Sequence, residues 1–419
     1  MLQLNMPLAQ SSHPDTSIWW GLPSKIVQLK IEQLVHRGFG LARFQGKTIF
    51  IPSVLPGETV EAEIQREKTG FAYARLIRII EPSRFRINPE CPYFPACGGC
   101  QLAHIDYSHQ ITLKKEILRE SLQRIGKFSS TEKILNPLPS SSPLRYRTRV
   151  KLHLDDGKIG FKGTNEQELV QIEDCLLICK ELNASLPALK QLARKLVAGK
   201  ERTIEMDYNP ESKEIFASIS PKREMIYQYL KGRFEMVSVP HKALLRLASF
   251  VQVNPQQNKN LQQIVSSLAE SSGAKIALEL FAGSGNLTFE IAKKIDSLVA
   301  VENNSYAIQL ANLNMKESGI KNVQFQEQSA ERYLNSALKS RMKFDLIILD
   351  PPRTGARKEV EKIIQLKPKT LIYVSCEPST LARDLKSLIN AGYQIEKIIP
   401  LDMFPQTYHI ESISLLRPG

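Results

Sequence analysis

Long apolar runs, tryptophan and cysteine are what this sequence of 419 residues has least of, and each shortage excludes something. No uninterrupted apolar stretch approaches membrane-spanning length, and the first twenty residues have neither a basic start nor an apolar core. A cytoplasmic protein without membrane span or secretory leader is therefore expected. Six cysteines, unevenly placed, do not make the disulfide framework of a secreted scaffold. Basic residues outnumber acidic ones, 56 to 43, and the net charge of +13 implies a polyanionic partner, with nucleic acid the leading class. The length exceeds what one core usually holds, so two or three domains are expected. No internal repeat or low-complexity tract is evident.

The chemistry-bearing residues stand at the ends of apolar runs. The run 344–349 reads as a buried strand ending at Asp350-Pro351-Pro352-Arg353, and 371–374 as the next strand, ending just before Cys376 in Ser375-Cys376-Glu377-Pro378. Parallel strands deliver both residues to one carboxyl edge. The stretches 394–400 and 412–416 are separated by a short loop and look like an antiparallel pair. If the last strand runs backwards, Glu411 of His409-Ile410-Glu411 opens it at the edge that carries Cys376. A thiol nucleophile, an acid and a base then meet there.

Upstream, Ala277-Leu278-Glu279-Leu280 leads into Phe281-Ala282-Gly283-Ser284-Gly285-Asn286 and a helical pattern over 287–294, which is a strand, a glycine turn and a helix. Leu287 and Thr288 stand where a dinucleotide fingerprint reaches its third glycine, so a hydride-transfer cofactor is disfavoured. Glu302 closes the next apolar run, 298–301, near the spacing at which an acidic residue binds ribose hydroxyls. An adenosine-type ligand is expected.

Cys91-Pro92-Tyr93-Phe94-Pro95-Ala96-Cys97-Gly98-Gly99-Cys100 spaces three thiols as C-x5-C-x2-C, with glycines that let the backbone fold around an inorganic centre. Zinc and an iron-sulfur cluster both accept four thiolates, so the spacing leaves the metal open. The fourth ligand is Cys175 or Cys179, with Cys175 preferred. Between about 25 and 80, short alternating or apolar segments (26–31, 48–52, 59–65 and 72–80) fit a small antiparallel barrel, with Gly38-Phe39-Gly40 and Pro56-Gly57-Glu58 as turns. Lysines and arginines lie there among Phe39, Phe44, Phe50, Phe71 and Tyr73, a mixture suited to single-stranded RNA, although most of the rings are expected inside the barrel. Arg145 to His153 alternates basic with other residues and reads as a strand with one cationic face; 110–125 reads as an amphipathic helix and 137–143 as a hinge or loop.

At these residues the chain closely resembles, over nearly its whole length, the bacterial S-adenosylmethionine-dependent RNA uracil-5 methyltransferases. The motifs that carry the resemblance are Cys91 to Cys100 with Gln101 and His104, Phe250-Val251-Gln252-Val253-Asn254, Phe281 to Asn286, Asp350 to Gly355, Ser375-Cys376 with Thr380-Leu381-Ala382-Arg383-Asp384, and Met403-Phe404-Pro405-Gln406-Thr407 with His409-Ile410-Glu411. The resemblance implies a multi-domain α/β protein. Its parts are an N-terminal OB-like barrel of the TRAM type over 22–82, a mixed α+β central RNA-binding domain with the four cysteines over 83–245, and a Rossmann-like methyltransferase domain with a reversed last strand over 246–419. Part of 101–126 is expected to pack with that last domain.

By the same resemblance Cys376 is the nucleophile and Glu411 the base; Gln252, Phe281, Glu302 and Asp350 contact S-adenosylmethionine; and Cys91, Cys97, Cys100 and Cys175 hold a [4Fe-4S] cluster. Barrel and cluster together point to 23S ribosomal RNA rather than transfer RNA. No obligate protein partner is implied, and a monomer is expected. Two departures stand out. Glu377 follows the nucleophile where Asn is usual; facing the thiol it would oppose ionisation, so an outward side chain is expected. Gln328-Ser329-Ala330-Glu331 stands where the family often places an Asp near the adenine. Competing readings are an adenine amino-methyltransferase, disfavoured because Arg353 replaces the aromatic that must follow the prolines, and a non-catalytic RNA-binding protein that retains the fold.

Overall fold

The computed structural model describes residues 25–165, 167–195, 202–220, 226–237 and 241–419. The first twenty residues, on which the absence of a leader was read, and the expected domain start at 22 lie outside the described residues. The chain divides into two compact units: Met1–Gln33 with Gly40–Pro82, and Leu34–Phe39 with Ser83–Gly419.

The barrel strands are β1 (Lys25–Lys30), β2 (Gln33–Val35), β3 (Phe39–Phe44), β4 (Lys47–Ile51), β5 (Thr59–Lys68) and β6 (Phe71–Glu81), in the order β1-β5-β6-β4-β3-β2. Alternation puts Val27, Leu29, Ile49, Ile51, Val60, Ala62, Ala72 and Ala74 into its core. Phe39 opens a strand rather than centring a turn; the bend falls one step earlier, at Arg37 and Gly38, both at positive φ. A side chain on Gly40 would meet Val54 at 2.2 Å, so the close approach of the two segments needs a glycine there.

In the second unit, α1 (Tyr107–Arg124) precedes a sheet of β7 (Arg149–Asp155), β8 (Lys158–Lys162), β9 (Leu169–Gln171), β10 (Arg202–Asn209), β11 (Glu214–Ile219), β12 (Ile226–Leu230) and β13 (Arg233–Met236). α2 (Lys180–Lys195) supplies Leu182, Leu186 and Leu189 to its core. After α3 (His241–Ala248) and α4 (Pro255–Ser271) comes the third sheet: β14 (Ile276–Leu280), α5 (Thr288–Ala292), β15 (Ser297–Glu302), α6 (Ser305–Ser318), β16 (Val323–Glu327), α7 (Ala330–Lys339), β17 (Leu346–Leu349), α8 (Arg357–Leu366), β18 (Thr370–Ser375), α9 (Pro378–Asn390), β19 (Tyr393–Leu401) and β20 (Glu411–Pro418). Its order is β16-β15-β14-β17-β18-β20-β19. β14 to β18 are parallel; the central strands β14, β17 and β18 are buried almost throughout, as doubly covered parallel strands require, while the edge strand β16 buries only Val323. β20 runs antiparallel between β18 and β19, so the last strand is reversed but is not the sheet edge.

One local expectation needs correction and two need refinement. The basic segment is not a cationic surface face: Arg145 forks onto Asp174 at 2.6 Å through both terminal nitrogens, and Arg149 is buried on Asp207 at 3.0 Å and on the carbonyls of Ser249 and Arg246. Carboxylates distant in sequence captured these charges. The stretch 137–143 is a loop, as one of the two readings expected, and it is held rather than free to hinge: Leu138 donates to the Pro400 carbonyl at 2.8 Å and accepts from Asp402 at 2.9 Å, which pins it along β19. And α1 is not merely amphipathic. It buries Lys114 completely, with its ammonium on Asp402 Oδ1 at 2.5 Å and the Phe404 carbonyl at 3.0 Å.

That pair generates a stability prediction. Lys114→Met leaves a buried carboxylate without its cation and should cost about 3–5 kcal/mol in urea denaturation. Adding Asp402→Asn should recover part of the loss. A cost below about 1 kcal/mol for Lys114→Met would show that water reaches Asp402.

Candidate active site

Adjacent parallel strands β17 and β18 end at Asp350 and Cys376, and the register pairs Ser375 with Ser412 across β18 and β20. The residue after one lies beside the residue before the other, so Cys376 and Glu411 are neighbours at the carboxyl edge. Glu411 is 3% exposed, and its Oε1 has no hydrogen-bond partner. Burial, then the charge of Asp350, raises its pKa well above the usual carboxylate range, while Arg353 opposes the rise. Burial alone lifts Asp350 to about 7. The Cys376 thiol is pushed up to about 12 by burial and next by Glu411 and Asp350, with Arg353 the opposing charge. The thiol thus stands beside two carboxyls that burial also shifts upward, and one cation favours its ionisation.

Arg353 was not singled out from sequence beyond its motif, yet its placement is tightly specified. Thr380 Oγ1 donates to its carbonyl at 3.1 Å, and Arg383 to that of Thr354 at 3.0 Å. Gly355 sits at φ +75°, where a Cβ would lie 2.6 Å from Asp384. The Arg353 guanidinium donates to His409 Nε2 at 3.2 Å, which needs a neutral imidazole; burial, followed by Arg353, lowers the His409 pKa to about 3. The expected outward position of Glu377 is wrong. Its side chain is 13% accessible and turned onto the start of α9, accepting from Ser379 N at 3.3 Å and Oγ at 2.8 Å, with His36 Nδ1 at 3.6 Å. As a helix cap it sits at the positive end of the dipole and is the last-ranked influence on the thiol.

The glycine turn after β14 places Phe281 at φ +62°, Gly283 at +56° and Gly285 at +91°. Glu302 closes β15, accepting from Gly283 N at 2.9 Å through Oε2 and from Asn303 and Asn304 N at 2.8 Å each through Oε1. It therefore braces the turn directly. In the 328–331 segment, Ser329 caps α7 and the Gln328 amide bonds the Glu302 carbonyl at 2.9 Å. Gln252 Oε1 is enclosed without a protein hydrogen-bond partner, whereas the buried Glu279 carboxyl and Thr288 hydroxyl interact with one another. Glu279, which the sequence reading passed over as one residue of an apolar strand, lies 2% exposed beside this turn. Its signal was an acidic residue inside an otherwise continuous apolar run.

Away from this edge, Cys91, Cys97, Cys100 and Cys175 line one cavity of about 260 Å³ with Tyr93, Phe94 and Arg147. Cys179 is elsewhere, packed in the core with Leu182 and Leu186 and raised to about 11 by burial. Burial raises Cys97, Cys100 and Cys175 as well, and each feels the other thiols of the cavity. Among the described residues no three His, Cys, Asp or Glu side chains converge as one metal ion would require. The half-buried Arg147 guanidinium donates to Tyr146 Oη at 3.4 Å, and its charge faces Cys100 and Cys175. The cavity thus gathers four thiols, with a guanidinium facing two of them.

A glycine turn braced by an acidic strand end, on a parallel sheet with a reversed strand, and a thiol beside two carboxyls define an S-adenosylmethionine-dependent methyltransferase. Residues 239–418 match the tRNA (Uracil-5-)-methyltransferase family, and 23–77 the TRAM domain. The chain is 31% identical to an uncharacterized RNA methyltransferase of Aquifex aeolicus, covering 94% of this chain and 99% of that one. It is 32% identical to the 23S rRNA (uracil(1939)-C(5))-methyltransferase RlmD of Vibrio parahaemolyticus, covering 92% and 95%. The crystal structure of the Pyrococcus abyssi tRNA (uracil-54, C5)-methyltransferase in complex with S-adenosyl-L-homocysteine shares the fold, with a TM-score of 0.69 at 24% identity over 93% of this chain and 100% of that one. The chain belongs to the RNA (uracil-5-)-methyltransferase family: it is an enzyme that methylates C5 of uridine in RNA.

Burial raises the Glu279 pKa to about 8, against 4.5 for the free group. A carboxyl whose folded pKa is raised contributes stability that is complete below about 4.5 and is lost as pH climbs toward about 8. Glu279→Gln should therefore flatten the fall of thermal midpoint across that window in ligand-free protein. An unchanged pH slope would mean that Glu279 is ionised in the fold.

Proposed function

We propose that the RNA substrate is 23S ribosomal RNA and that methyl transfer proceeds through a covalent adduct of Cys376 with C6 of the target uracil. The observation that carries the mechanism is the register that sets Cys376 beside Glu411. Uracil C5 is too weak a nucleophile to take a methyl group unaided. Addition of the Cys376 sulfur at C6 breaks the C5–C6 double bond and moves its electrons into an enolate, so that C5 can attack. S-adenosylmethionine supplies the methyl group from its sulfonium. Glu411 then removes the C5 proton, the double bond reforms and Cys376 leaves as thiolate. The raised pKa of Glu411 suits a base working near neutral pH.

Arg353 is the group that favours the Cys376 thiolate against two carboxyls. Gln252, Phe281, Glu302 and Asp350 are the residues that hold the cofactor, and Gln252 offers an enclosed oxygen with no protein partner. A uridine within folded RNA is extruded from its stack to reach this edge. The ribosomal assignment is supported by 32% identity over 92% of the chain to the V. parahaemolyticus enzyme and by the barrel and four-cysteine cavity. Cys91, Cys97, Cys100 and Cys175 hold a [4Fe-4S] cluster whose role is structural or RNA-positioning, and Arg147 is its counter-charge. Such a cluster, when bound, cross-links 91–100 to the segment ahead of α2.

RNA with 5-fluorouridine at the target should trap wild-type protein, because fluorine does not leave as a proton does; trapping that persists in Cys376→Ala would sink the nucleophile assignment. Glu411→Gln should accumulate methylated RNA still attached to Cys376, read by mass spectrometry with labelled S-adenosylmethionine. Release of methylated RNA at the wild-type rate would refute the base role. In wild type, kcat should fall as pH drops through a value above the ordinary carboxylate range, where Glu411 takes up its proton. Mapping 5-methyluridine in 23S ribosomal RNA from cells with and without the gene tests the substrate. Anaerobically purified protein should be brown and contain iron and sulfide, with Cys175→Ser losing the iron and Cys179→Ser retaining it. A colourless, active protein holding only zinc excludes the cluster.

A further inference from the structure

We propose that His409 is a positioning residue for methyl transfer, its imidazole holding the Arg353 guanidinium beside Cys376. The inference rests on the reading of Cys376 as the nucleophile and adds what keeps a counter-charge near its thiol. Backbone and side chain of Arg353 are secured by different means. Its carbonyl lies 3.1 Å from Thr380 Oγ1, and the same hydroxyl is 3.2 Å from the carbonyl of Glu377, the residue after Cys376. One threonine on the first turn of α9 thus ties the loop after β17 to the loop that carries the thiol. The Arg353 side chain itself is exposed, where a long, flexible chain spreads over many rotamers unless a partner fixes it. Among the described residues its guanidinium makes no salt bridge and donates to one side chain, His409 Nε2 at 3.2 Å.

The imidazole is fixed in turn. His409 N donates to Thr407 Oγ1 at 3.3 Å, and that hydroxyl donates to the Phe404 carbonyl at 2.8 Å. The ring centroid lies 4.0 Å from that of Tyr408 and meets the Phe404 ring edge-on at 5.7 Å. The charged and titratable groups that face it are Arg353, Lys114 of α1, Arg147 ahead of β7 and His36, every one a base. A cationic side chain at 409 would be repelled by them. A carboxylate would hold the guanidinium but cancel its charge toward the thiol, whereas a neutral ring nitrogen holds it and leaves that charge available. Glu411, Asp350 and Glu377 all oppose thiolate formation at Cys376, so an Arg353 side chain that drifts away leaves them unanswered.

The test is alkylation of Cys376 by iodoacetamide in the full chain, without RNA or S-adenosylmethionine, followed by mass spectrometry of the peptide that carries it. Only the thiolate reacts, so the rate at a given pH reports ionisation. His409→Phe keeps a planar ring and removes the acceptor; it should slow alkylation at about pH 8 roughly three- to tenfold. His409→Gln, whose amide oxygen can accept from Arg353, should restore most of the rate. Arg353→Gln should be as slow as His409→Phe, and combining the two should slow the reaction no further. If His409→Phe loses its thermal midpoint, His409→Ser, too short to reach the guanidinium, repeats the measurement. A wild-type alkylation profile in the folded variant overturns the proposal. So does a raised KM for RNA with unchanged kcat, which would make His409 a substrate contact. Because alkylation is read without RNA, failure of 5-fluorouridine trapping overturns the covalent reading and leaves this result standing.

Discussion

The antiparallel insertion of β20 between β18 and β19 is the constraint that brings Cys376 and Glu411 to one edge. In an all-parallel sheet, strand starts and strand ends lie at opposite edges, and a residue that opens a strand cannot meet one that closes its neighbour. Reversal of a single strand brings Glu411, the first residue of β20, to the edge where Cys376 follows β18. The pairing is backbone hydrogen bonding along five register positions, from Leu371 with Leu416 to Ser375 with Ser412, so relative height is held by the sheet rather than by side-chain contacts.

Strand reversal demands a loop, and the loop 402–409 is held from several sides. Lys114 and Tyr107 of α1 both engage Asp402, the tyrosine at 2.9 Å. Gln110 exchanges hydrogen bonds with Gln406, donating at 2.9 Å to its side chain and accepting at 3.1 Å from its amide. Tyr146 donates to the Pro405 carbonyl at 3.1 Å, and Asn254 to that of Met403 at 3.1 Å. The segment next to the cysteine cavity and the segment that positions Glu411 are thus joined through a few buried polar contacts. Each is costly to lose because its partner is left unsatisfied.

Burial sets the chemistry of the edge more than any single charge does. It is the first cause of the raised pKa of Cys376, Asp350 and Glu411 alike, and it keeps His409 neutral. The neutral imidazole is what allows His409 to accept from Arg353, so the guanidinium remains beside the thiol rather than repelled from a second cation. Glu377, an acidic residue directly after Cys376, is accommodated because the α9 N-terminus takes up its carboxylate.

Local pattern alone determined the strands that end at Asp350 and precede Cys376, the glycine turn after β14, and the reversed final pair, because apolar runs bounded by breakers carry their own period. It also isolated the C-x5-C-x2-C group and left the fourth thiol between Cys175 and Cys179, since four residues of separation say nothing about which side chain faces a cavity. Tertiary structure decided what periodicity cannot encode: that Arg145 pairs with Asp174, that Arg147 lines the cysteine cavity and Arg149 turns inward, that 137–143 is pinned to β19, that Glu377 caps a helix, and that Phe50, Phe71 and Tyr73 stand outside their barrel. In each case the deciding partner is distant in the chain, or is a face created only when strands pair. A charge or a ring reads the same in sequence whether it meets water or a buried carboxylate.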